Sequence, residues 1–299
     1  MYNHLFFFLT ITWVVSHHSF AHAQSLESKT VTIYAAGDIA ECGNKDPELS
    51  QAYSTGKLLI GLLQKDSLAS VITLGDNVYK DGTDTEFMTC YHKTWGSFKK
   101  RTFPSPGNHE YHTELARGYY KYFQDSAVKN WTGFYSFDAS TWHIISLNSN
   151  LKGADHQEQL NWLKADLDKN KNRCSFAYWH HPVFSSGEHG NNAKMMDVLK
   201  LLYEAKVSLV LNGHDHNYER FNQQDPDGNY EATNGIVEIV VGTGGAHLRP
   251  ISQLKENSAV FDSNNYGVLR LVLSPKNIDF SFIPVNGKFS DNGTVHCNL

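Results

Sequence analysis

Five short loops of the sequence carry side chains that bind metal ions or transfer protons. They are Gly37-Asp38, Gly75-Asp76-Asn77-Val78-Tyr79, Gly107-Asn108-His109-Glu110, His180-His181 and Gly213-His214-Asp215-His216. Carboxylate, phenol, amide and imidazole groups are the side chains that hold catalytic cations in proteins. One such loop alone is typical of an ordinary turn or a packed histidine. Five of them in one chain predict a metal site.

The position of each loop in the chain predicts that the five side-chain sets meet. Each loop follows a stretch of extended chain, and in open α/β sheets ligands bind outside the carboxyl ends of the strands. The pair His214 and His216 adds a local signal, because alternate residues of an extended chain point to the same side. We therefore expect one metal-binding crevice.

The elements behind the loops alternate between strands and helices. Apolar, β-branched runs predict strands at residues 31–36, 69–74, 142–147, 175–179, 207–211, 236–241, 268–273 and 278–283. Helical periodicity occurs at residues 48–64, 86–99, 114–123, 157–168 and 193–205, and Asp155 with Glu158 predicts a capping box for the fourth helix. We expect an α/β fold in which two mixed sheets pack together and are flanked by helices.

The composition is that of a globular protein with one domain. Of the 299 residues, 40% are hydrophobic and 19% are charged, and no low-complexity linker divides the chain. The 26 Lys and Arg residues against 31 Asp and Glu residues give a net charge of −5, which argues against a nucleic-acid partner. The 16 histidines are unusual, and imidazole is the commonest neutral metal ligand.

The N-terminus has the pattern of a signal peptide. An apolar run at residues 5–15 is followed by Ala21-His22-Ala23, a small-x-small pattern that suits signal peptidase. We expect residues 1–23 to be removed and residues 24–299 to form a secreted or periplasmic protein without a stable membrane anchor. The run is short for a membrane span, which needs about 20 apolar residues. An uncleaved anchor is the alternative, because residues 1–4 lack Lys and Arg.

Four cysteines form an even set, which in an oxidising compartment predicts two disulfides. Three connectivities are possible for Cys42, Cys90, Cys174 and Cys297. We favour Cys42 with Cys90, because each follows one of the metal-site loops, and this leaves Cys174 to hold the C-terminal tail through Cys297. Four buried free thiols are the alternative.

These loops, in this order, resemble the calcineurin-like metallophosphoesterase superfamily. The resemblance extends from Asp38 to Gly213-His214-Asp215-His216-Asn217-Tyr218-Glu219-Arg220 and implies a four-layer fold. Most of the superfamily begins with Asp-x-His, whereas this chain has Asp38-Ile39-Ala40 and lacks that histidine. Tyr79 lies three residues after Asp76, where purple acid phosphatases place a tyrosinate, so the chain is similar to that branch. A packed aromatic side chain is the alternative for Tyr79.

The resemblance implies two metal ions that share one carboxylate. Fe(III) is expected at Asp38, Asp76, Tyr79 and His216, and a divalent Fe, Zn or Mn ion at Asp76, Asn108, His180 and His214. The hard oxygen donors of the first set suit Fe(III), and the imidazoles and amide of the second set suit a divalent ion.

The resemblance also implies an acid phosphatase-like hydrolase of small phosphate monoesters. Two cations about 3.5–4 Å apart lower the pKa of water and stabilise an in-line displacement. The leaving alkoxide needs a proton, which a positioned imidazole transfers with a gain of roughly 10²–10⁴ in rate. His109 and His189 are the catalytic candidates, and Asn108 and Glu188 join them as substrate-binding candidates. An exposed loop histidine is the alternative for His189.

Two other functions stay open on the sequence. The same pair of ions serves phosphodiesterases and nucleotide hydrolases, and a secreted metal-binding protein without turnover would keep the same fold. Three further histidines have weaker assignments. His181 is a candidate for substrate contact, His247 for the rim of the crevice, and His143 for the core.

Overall fold

The computed structural model of the chain describes residues 1, 30–43, 46–124, 131–251 and 253–299. Apart from Met1, the expected signal peptide lies outside the described residues. Within the described ranges, no helix is both long enough and apolar enough to cross a bilayer.

The described residues form two mixed β-sheets. The strands are β1 (Val31–Ala36), β2 (Ser70–Leu74), β3 (Thr102–Ser105), β4 (Tyr135–Ala139), β5 (Trp142–Ser146), β6 (Ser175–Tyr178), β7 (Leu209–Asn212), β8 (Tyr218–Phe221), β9 (Val237–Val241), β10 (Ser258–Asp262), β11 (Gly267–Leu273), β12 (Asn277–Pro284) and β13 (Asn292–His296). The first sheet has the order β13-β12-β11-β1-β2-β3, and the second has the order β10-β8-β9-β7-β6-β5-β4. Strands β1, β2 and β3 are parallel in the first sheet, and β5, β6, β7 and β9 are parallel in the second.

Helices connect most of the parallel strands, as is usual for crossover connections, whereas β7 and β9 are connected through β8. The helices are α1 (Gln51–Lys65), α2 (Asp84–Glu86), α3 (His92–Thr94), α4 (Arg117–Phe123), α5 (Gly153–Asn170) and α6 (Met196–Glu204). A π-helical turn, Phe87–Tyr91, joins α2 to α3, and short 3₁₀ turns lie at Pro47–Leu49, Gly96–Arg101, Glu110–His112, Glu114–Ala116 and Ala193–Met195.

The central strands β5, β6, β7 and β9 of the second sheet are buried on both faces, and alternate residues of each strand point to opposite sides. Ile144, Phe176 and Leu209 belong to one core with first-sheet residues such as Ile33 and Leu271. Their neighbours Ile145, Ala177 and Val210 belong to a second core with Leu163 of α5 and Val198 of α6. The predicted sandwich of two mixed sheets flanked by helices is therefore confirmed.

All eight predicted strands are present, with ends that differ by two residues or fewer. The predicted helix at residues 86–99 is interrupted, because the chain changes to a 3₁₀ turn at Gly96. The capping box is wrong. Helix α5 begins at Gly153, so Asp155 lies inside the first turn, where a carboxylate favours the positive end of the helix without capping it.

Both predicted disulfides are confirmed. Cys42 bonds to Cys90 with a Cα–Cα distance of 5.8 Å, and Cys174 bonds to Cys297 with a Cα–Cα distance of 5.3 Å. The first bond joins the segment after β1 to the helical segment after β2. The second holds the C-terminal tail against the start of β6.

Candidate metal centre

The predicted ligands lie at the carboxyl ends of parallel strands in both sheets. Asp38, Asp76, His180 and His214 each follow the last residue of their strand, β1, β2, β6 or β7, by two positions. Asn108 follows β3, and Tyr79 and His216 lie within the loops after β2 and β7. Because the two sheets present these ends to the same side, all seven predicted ligands come together.

The backbone of these loops adopts conformations that side chains disfavour. Asp38, Asp76 and His214 have positive φ angles of 57°, 47° and 71°. Such conformations cost on the order of 1–3 kcal/mol each and cluster at functional sites. Close approach is also needed at Gly107, where a Cβ atom would lie 2.1 Å from Oδ1 of Asp76. The loops therefore hold these side chains in place although the backbone there is strained.

Tyr79 is at the centre of the first group of donor atoms. Its phenolic oxygen lies 2.9 Å from Oδ1 of Asp38, 3.1 Å from Oδ2 of Asp76 and 3.1 Å from Nε2 of His216. Nε2 of His216 is 3.4 Å from Oδ1 of Asp38. All four side chains are buried.

His180 is at the centre of the second group. Its Nε2 lies 3.2 Å from Oδ2 of Asp76, 3.1 Å from Oδ1 of Asn108 and 3.2 Å from Nδ1 of His214. The same carboxylate oxygen of Asp76 therefore contacts the central residue of each group.

The spacing of the donors fits a pair of cations. Neighbouring ligands of an octahedral ion with bonds of about 2.1 Å are about 3.0 Å apart, and those of a tetrahedral ion are about 3.4 Å apart. The contacts within both groups range from 2.9 to 3.4 Å. The residues present can therefore hold two ions that share Asp76.

Backbone groups fix the remaining atoms of these side chains. Nδ1 of His180 donates to the carbonyl of Leu74 at 2.9 Å, and Nδ1 of His216 donates to the carbonyl of His247 at 2.8 Å. A carbonyl oxygen only accepts hydrogen bonds, so each Nδ1 carries the proton. The lone pair of each Nε2 is therefore directed to the other candidate metal ligands. Oδ2 of Asp38 and Oδ1 of Asp76 each accept a backbone N–H, which leaves their other oxygens for a cation.

The electrostatics of the site favour added positive charge. Burial raises the pKa of the Tyr79 phenol well above its usual value, and the carboxylates of Asp38 and Asp76 raise it further. Burial also raises the pKa of Asp38. Burial opposes ionisation of Asp76, but His180 lowers the pKa of that carboxyl overall, and Asp76 in turn outweighs burial and raises the pKa of His180 to about 9. A cation between these groups would stabilise the phenolate and both carboxylates.

His109 lies beside the shared carboxylate rather than in either donor group. Its Nε2 is 3.8 Å from Oδ2 of Asp76, and its Nδ1 donates to the carbonyl of Lys80 at 2.6 Å. Its ring centroid is 4.4 Å from that of Tyr79. This catalytic candidate is therefore fixed next to the donors without being one of them.

His189 is fixed on the opposite side, next to His214. Both its backbone N–H and its Nδ1 contact Oδ1 of Asp215 at 2.9 Å, and its ring centroid is 4.2 Å from that of His214. Asp215 is buried and also accepts a hydrogen bond from Ser185. Glu188 is 62% exposed, and its Oε2 lies 3.1 Å from Nη1 of Arg249.

Sequence patterns predicted no role for three residues that shape the site. Glu110 is buried and accepts the backbone N–H groups of Asn77, Val78 and Gly107 at 2.9, 3.2 and 2.7 Å, so it ties two ligand loops together. Glu110 and Asp215 lie inside the predicted metal-site loops, next to His109 and between His214 and His216. That position was the one sequence signal that could have indicated their roles. Arg249 lies outside every motif and had none.

The other histidines have separate positions. One ring nitrogen of His181 lies within 4.8 Å of one from His180 and one from His214, and its Nδ1 bonds to Oγ of Ser149 at 2.7 Å. His247 contributes its carbonyl to His216. His143 is buried in β5, as expected for a core residue.

The sequence matches the profile of the calcineurin-like phosphoesterases, Metallophos, over residues 26–218, close to two thirds of the chain. It is 31% identical to Purple acid phosphatase 21 of Arabidopsis thaliana over 196 residues, which cover 60% of this chain and 43% of that protein. The chain thus spans less than half the length of this relative.

Two solved structures share the fold. Purple acid phosphatase PPD1 from yellow lupin (Lupinus luteus) seeds has a TM-score of 0.73 at 18% identity, with coverage of 90% of this chain and 54% of that chain. GAP50, the anchor in the inner membrane complex of Plasmodium, has a TM-score of 0.69 at 17% identity, with coverage of 90% and 89%. At these identities the likeness is one of fold alone.

Proposed function

The chain belongs to the calcineurin-like phosphoesterase family, and on that premise we propose that it is a dinuclear-metal phosphatase that hydrolyses small phosphate monoesters. The observation that carries the proposal is that Oδ2 of Asp76 contacts both Tyr79 and His180. A shared carboxylate oxygen places two cations side by side. That arrangement stabilises both the attacking and the leaving oxygen of an in-line displacement at phosphorus.

We assign Fe(III) to the group around Tyr79 and a divalent Fe, Zn or Mn ion to the group around His180. The ligands of Fe(III) are Asp38, Asp76, Tyr79 and His216, and those of the divalent ion are Asp76, Asn108, His180 and His214. A phenol and two carboxylates are hard donors, whereas two imidazoles and an amide suit a borderline ion. The similarity to purple acid phosphatases supports the same assignment.

When bound, the two ions supply Lewis-acid activation of the phosphoryl group and a hydroxide nucleophile near neutral pH. His109 and His189 flank the donors and move the proton to the leaving oxygen. In each ring a carbonyl or carboxylate oxygen fixes Nδ1, so Nε2 is the atom that remains for substrate. At His189 the substrate would first displace Nη1 of Arg249, which lies 3.2 Å from that Nε2. Asn108 and His109 hold the phosphate from one side, and the loop of Glu188 and His189 closes the other.

We place the protein in a secreted or periplasmic compartment after removal of residues 1–23. Two disulfides support this location, because disulfides persist in oxidising compartments and are rare in the cytosol.

Parallel assays on para-nitrophenyl phosphate and bis-para-nitrophenyl phosphate test the proposed activity. We expect the monoester to be hydrolysed with the higher kcat/KM, and Asp76→Asn to abolish that turnover. A higher kcat/KM on the diester would assign a phosphodiesterase. Absence of turnover on both esters by metal-loaded protein would contradict the proposal and favour a metal-binding protein.

A further inference from the structure

A cavity of about 830 Å³ opens beside the candidate metal centre. Three residues of the metal-centre loops, Tyr79, His109 and His216, line it. Its charged lining residues are Lys80, Arg249, Glu41 and Glu86. A phosphate ester bound at the metal centre would extend its leaving group into this space. The charges on the cavity wall therefore act on the leaving group.

The two acidic residues of the cavity are already satisfied by the protein. Glu86 accepts the backbone N–H groups of Lys80 and Thr83 at 2.7 and 2.9 Å, and the hydroxyl of Thr83 at 2.8 Å. Glu41 accepts the backbone N–H of His247 at 3.0 Å. These N–H and O–H dipoles offset part of the negative charge of the two carboxylates, whereas Lys80 and Arg249 keep donors that no described residue occupies.

Lys80 is a cation whose ammonium has no partner among the described residues. Its backbone is fixed on both sides, because its N–H donates to Glu86 and its carbonyl accepts from Nδ1 of His109 at 2.6 Å. Its ammonium makes no hydrogen bond or ion pair with any residue in the described part of the chain. The charge therefore stands next to His109 and is available to a ligand.

Arg249 is a second cation with spare donors. Its backbone N–H donates to the carbonyl of His216 at 3.0 Å, which anchors it to a proposed ligand loop. Its Nη1 contacts Oε2 of Glu188 at 3.1 Å and Nε2 of His189 at 3.2 Å. Within the described residues, Nε and Nη2 have no hydrogen-bond partner. Because Glu188 is largely exposed, its ion pair is weak and a substrate anion can replace it.

We propose that Lys80 and Arg249 form a subsite for a second anionic group, so that the preferred substrates are phosphate monoesters whose leaving group carries a carboxylate or a further phosphate. This inference rests on the proposed phosphatase function and narrows its substrate class. The planar guanidinium binds carboxylate or phosphate oxygens through paired N–H groups, and the ammonium adds a second charge.

Matched esters isolate the charge of the leaving group. We would compare 4-carboxyphenyl phosphate and 4-phosphonophenyl phosphate with the neutral 4-carbamoylphenyl phosphate. For wild-type protein at low salt, kcat/KM should be on the order of tenfold higher for the carboxylate than for the amide, since two exposed ion pairs each contribute a few-fold. The phosphonate, with its additional charge, should gain more. The preference should vanish in 1 M salt, where the screening length is about 3 Å.

Variants identify the residues responsible. Lys80→Gln and Arg249→Gln should each reduce the carboxylate-to-amide ratio several-fold, whereas Glu188→Gln should raise it because Arg249 loses its competitor. Lys169→Gln, which removes one exposed charge on α5, should leave the ratio unchanged. Calorimetric binding of the non-hydrolysable 4-carboxybenzylphosphonate and its carboxamide should give the same order of affinities without turnover.

The outcomes separate this subsite from the phosphatase function itself. Equal kcat/KM on charged and neutral esters by active wild-type protein, or an unchanged ratio in both cation variants, would overturn the subsite and leave the phosphatase function standing. Absence of turnover on every ester would refute the proposed phosphatase function and, with it, the proposed subsite.

Discussion

The phenolic oxygen of Tyr79 and Oδ2 of Asp76, three residues apart in one loop, lie 3.1 Å from each other. Both atoms are buried, and the carboxylate raises the pKa of the phenol in the absence of a compensating charge. Two buried acids at this distance are stable together only with a cation or a shared proton. The loop after β2 thus supplies both the proposed shared ligand and the donor that distinguishes the two proposed metal positions.

Replacing Tyr79 tests the assignment of Fe(III). A phenolate on Fe(III) absorbs visible light by ligand-to-metal charge transfer, so the iron-loaded protein should be coloured. Tyr79→Phe keeps the packed ring and removes the oxygen, and its visible spectrum should lose that band. A wild-type protein that contains iron, is fully active and has no colour would contradict the assignment.

Replacing Asp76 tests whether its carboxylate bridges the two proposed metal ions. Asp76→Asn removes the carboxylate whose Oδ2 contacts both Tyr79 and His180, so we expect loss of both ions and of nearly all turnover. Elemental analysis of the purified variant gives the metal content per chain. Retention of two ions would mean that another group bridges them.

Replacing His109 or His189 tests the transfer of a proton. His109→Ala and His189→Ala should keep the metal content and lower turnover, because neither residue is a proposed ligand. A basic leaving group needs the proton most, so the defect should be large for an alkyl phosphate and small for a nitrophenyl phosphate. His296→Ala, at an exposed position on β13, serves as the matched control.

Equal losses on the two esters would remove the acid role from the residue concerned. Loss of a metal ion in either variant would instead show that the ligand assignment is wrong. Oδ1 of Asp215 accepts hydrogen bonds from the backbone N–H and from Nδ1 of His189. These bonds favour His189 as the better-oriented donor of the proton to the leaving group.

His143 makes stability depend on pH at a distance from the metal centre. Its ring lies 3.0 Å from Asp138 and 2.6 Å from Asp166, and Arg173 also binds Asp138. Burial lowers the pKa of this ring, but hydrogen bonds to Asp166 and Asp138 outweigh burial and raise it above the usual value of about 6.5. The ring therefore stabilises the fold fully below about pH 6.5, and that contribution is lost as pH rises through the folded pKa.

Chemical denaturation of His143→Gln at two pH values measures this contribution. We expect the variant to lose on the order of 1–3 kcal/mol of unfolding free energy at pH 5 and clearly less at pH 9. An equal loss at both pH values would show that packing, rather than charge, accounts for the effect.

The central strands and most of the site were predictable from the sequence because both leave local signals. Interior strands such as β1 and β7 are buried on both faces and form continuous apolar runs. The strands that sequence patterns did not indicate include all four sheet edges, β3, β4, β10 and β13. Exposure removes the apolar signal in β4, β10 and β13, whereas β3 is mostly buried but has only four residues, three of which are Thr102, Pro104 and Ser105. The orientation of His189 by Asp215 and the approach of Arg249 depend on contacts between distant segments, which no local pattern encodes.

Anomalous diffraction from crystals of the protein purified with iron would locate the two proposed ions. We expect two anomalous peaks per chain, about 3.5–4 Å apart and on either side of Oδ2 of Asp76. The peak bonded to Tyr79 and His216 should be strong above the iron edge. A single peak, or one centred on His180, His181 and His214 with none beside Tyr79, would refute a dinuclear centre that shares Asp76.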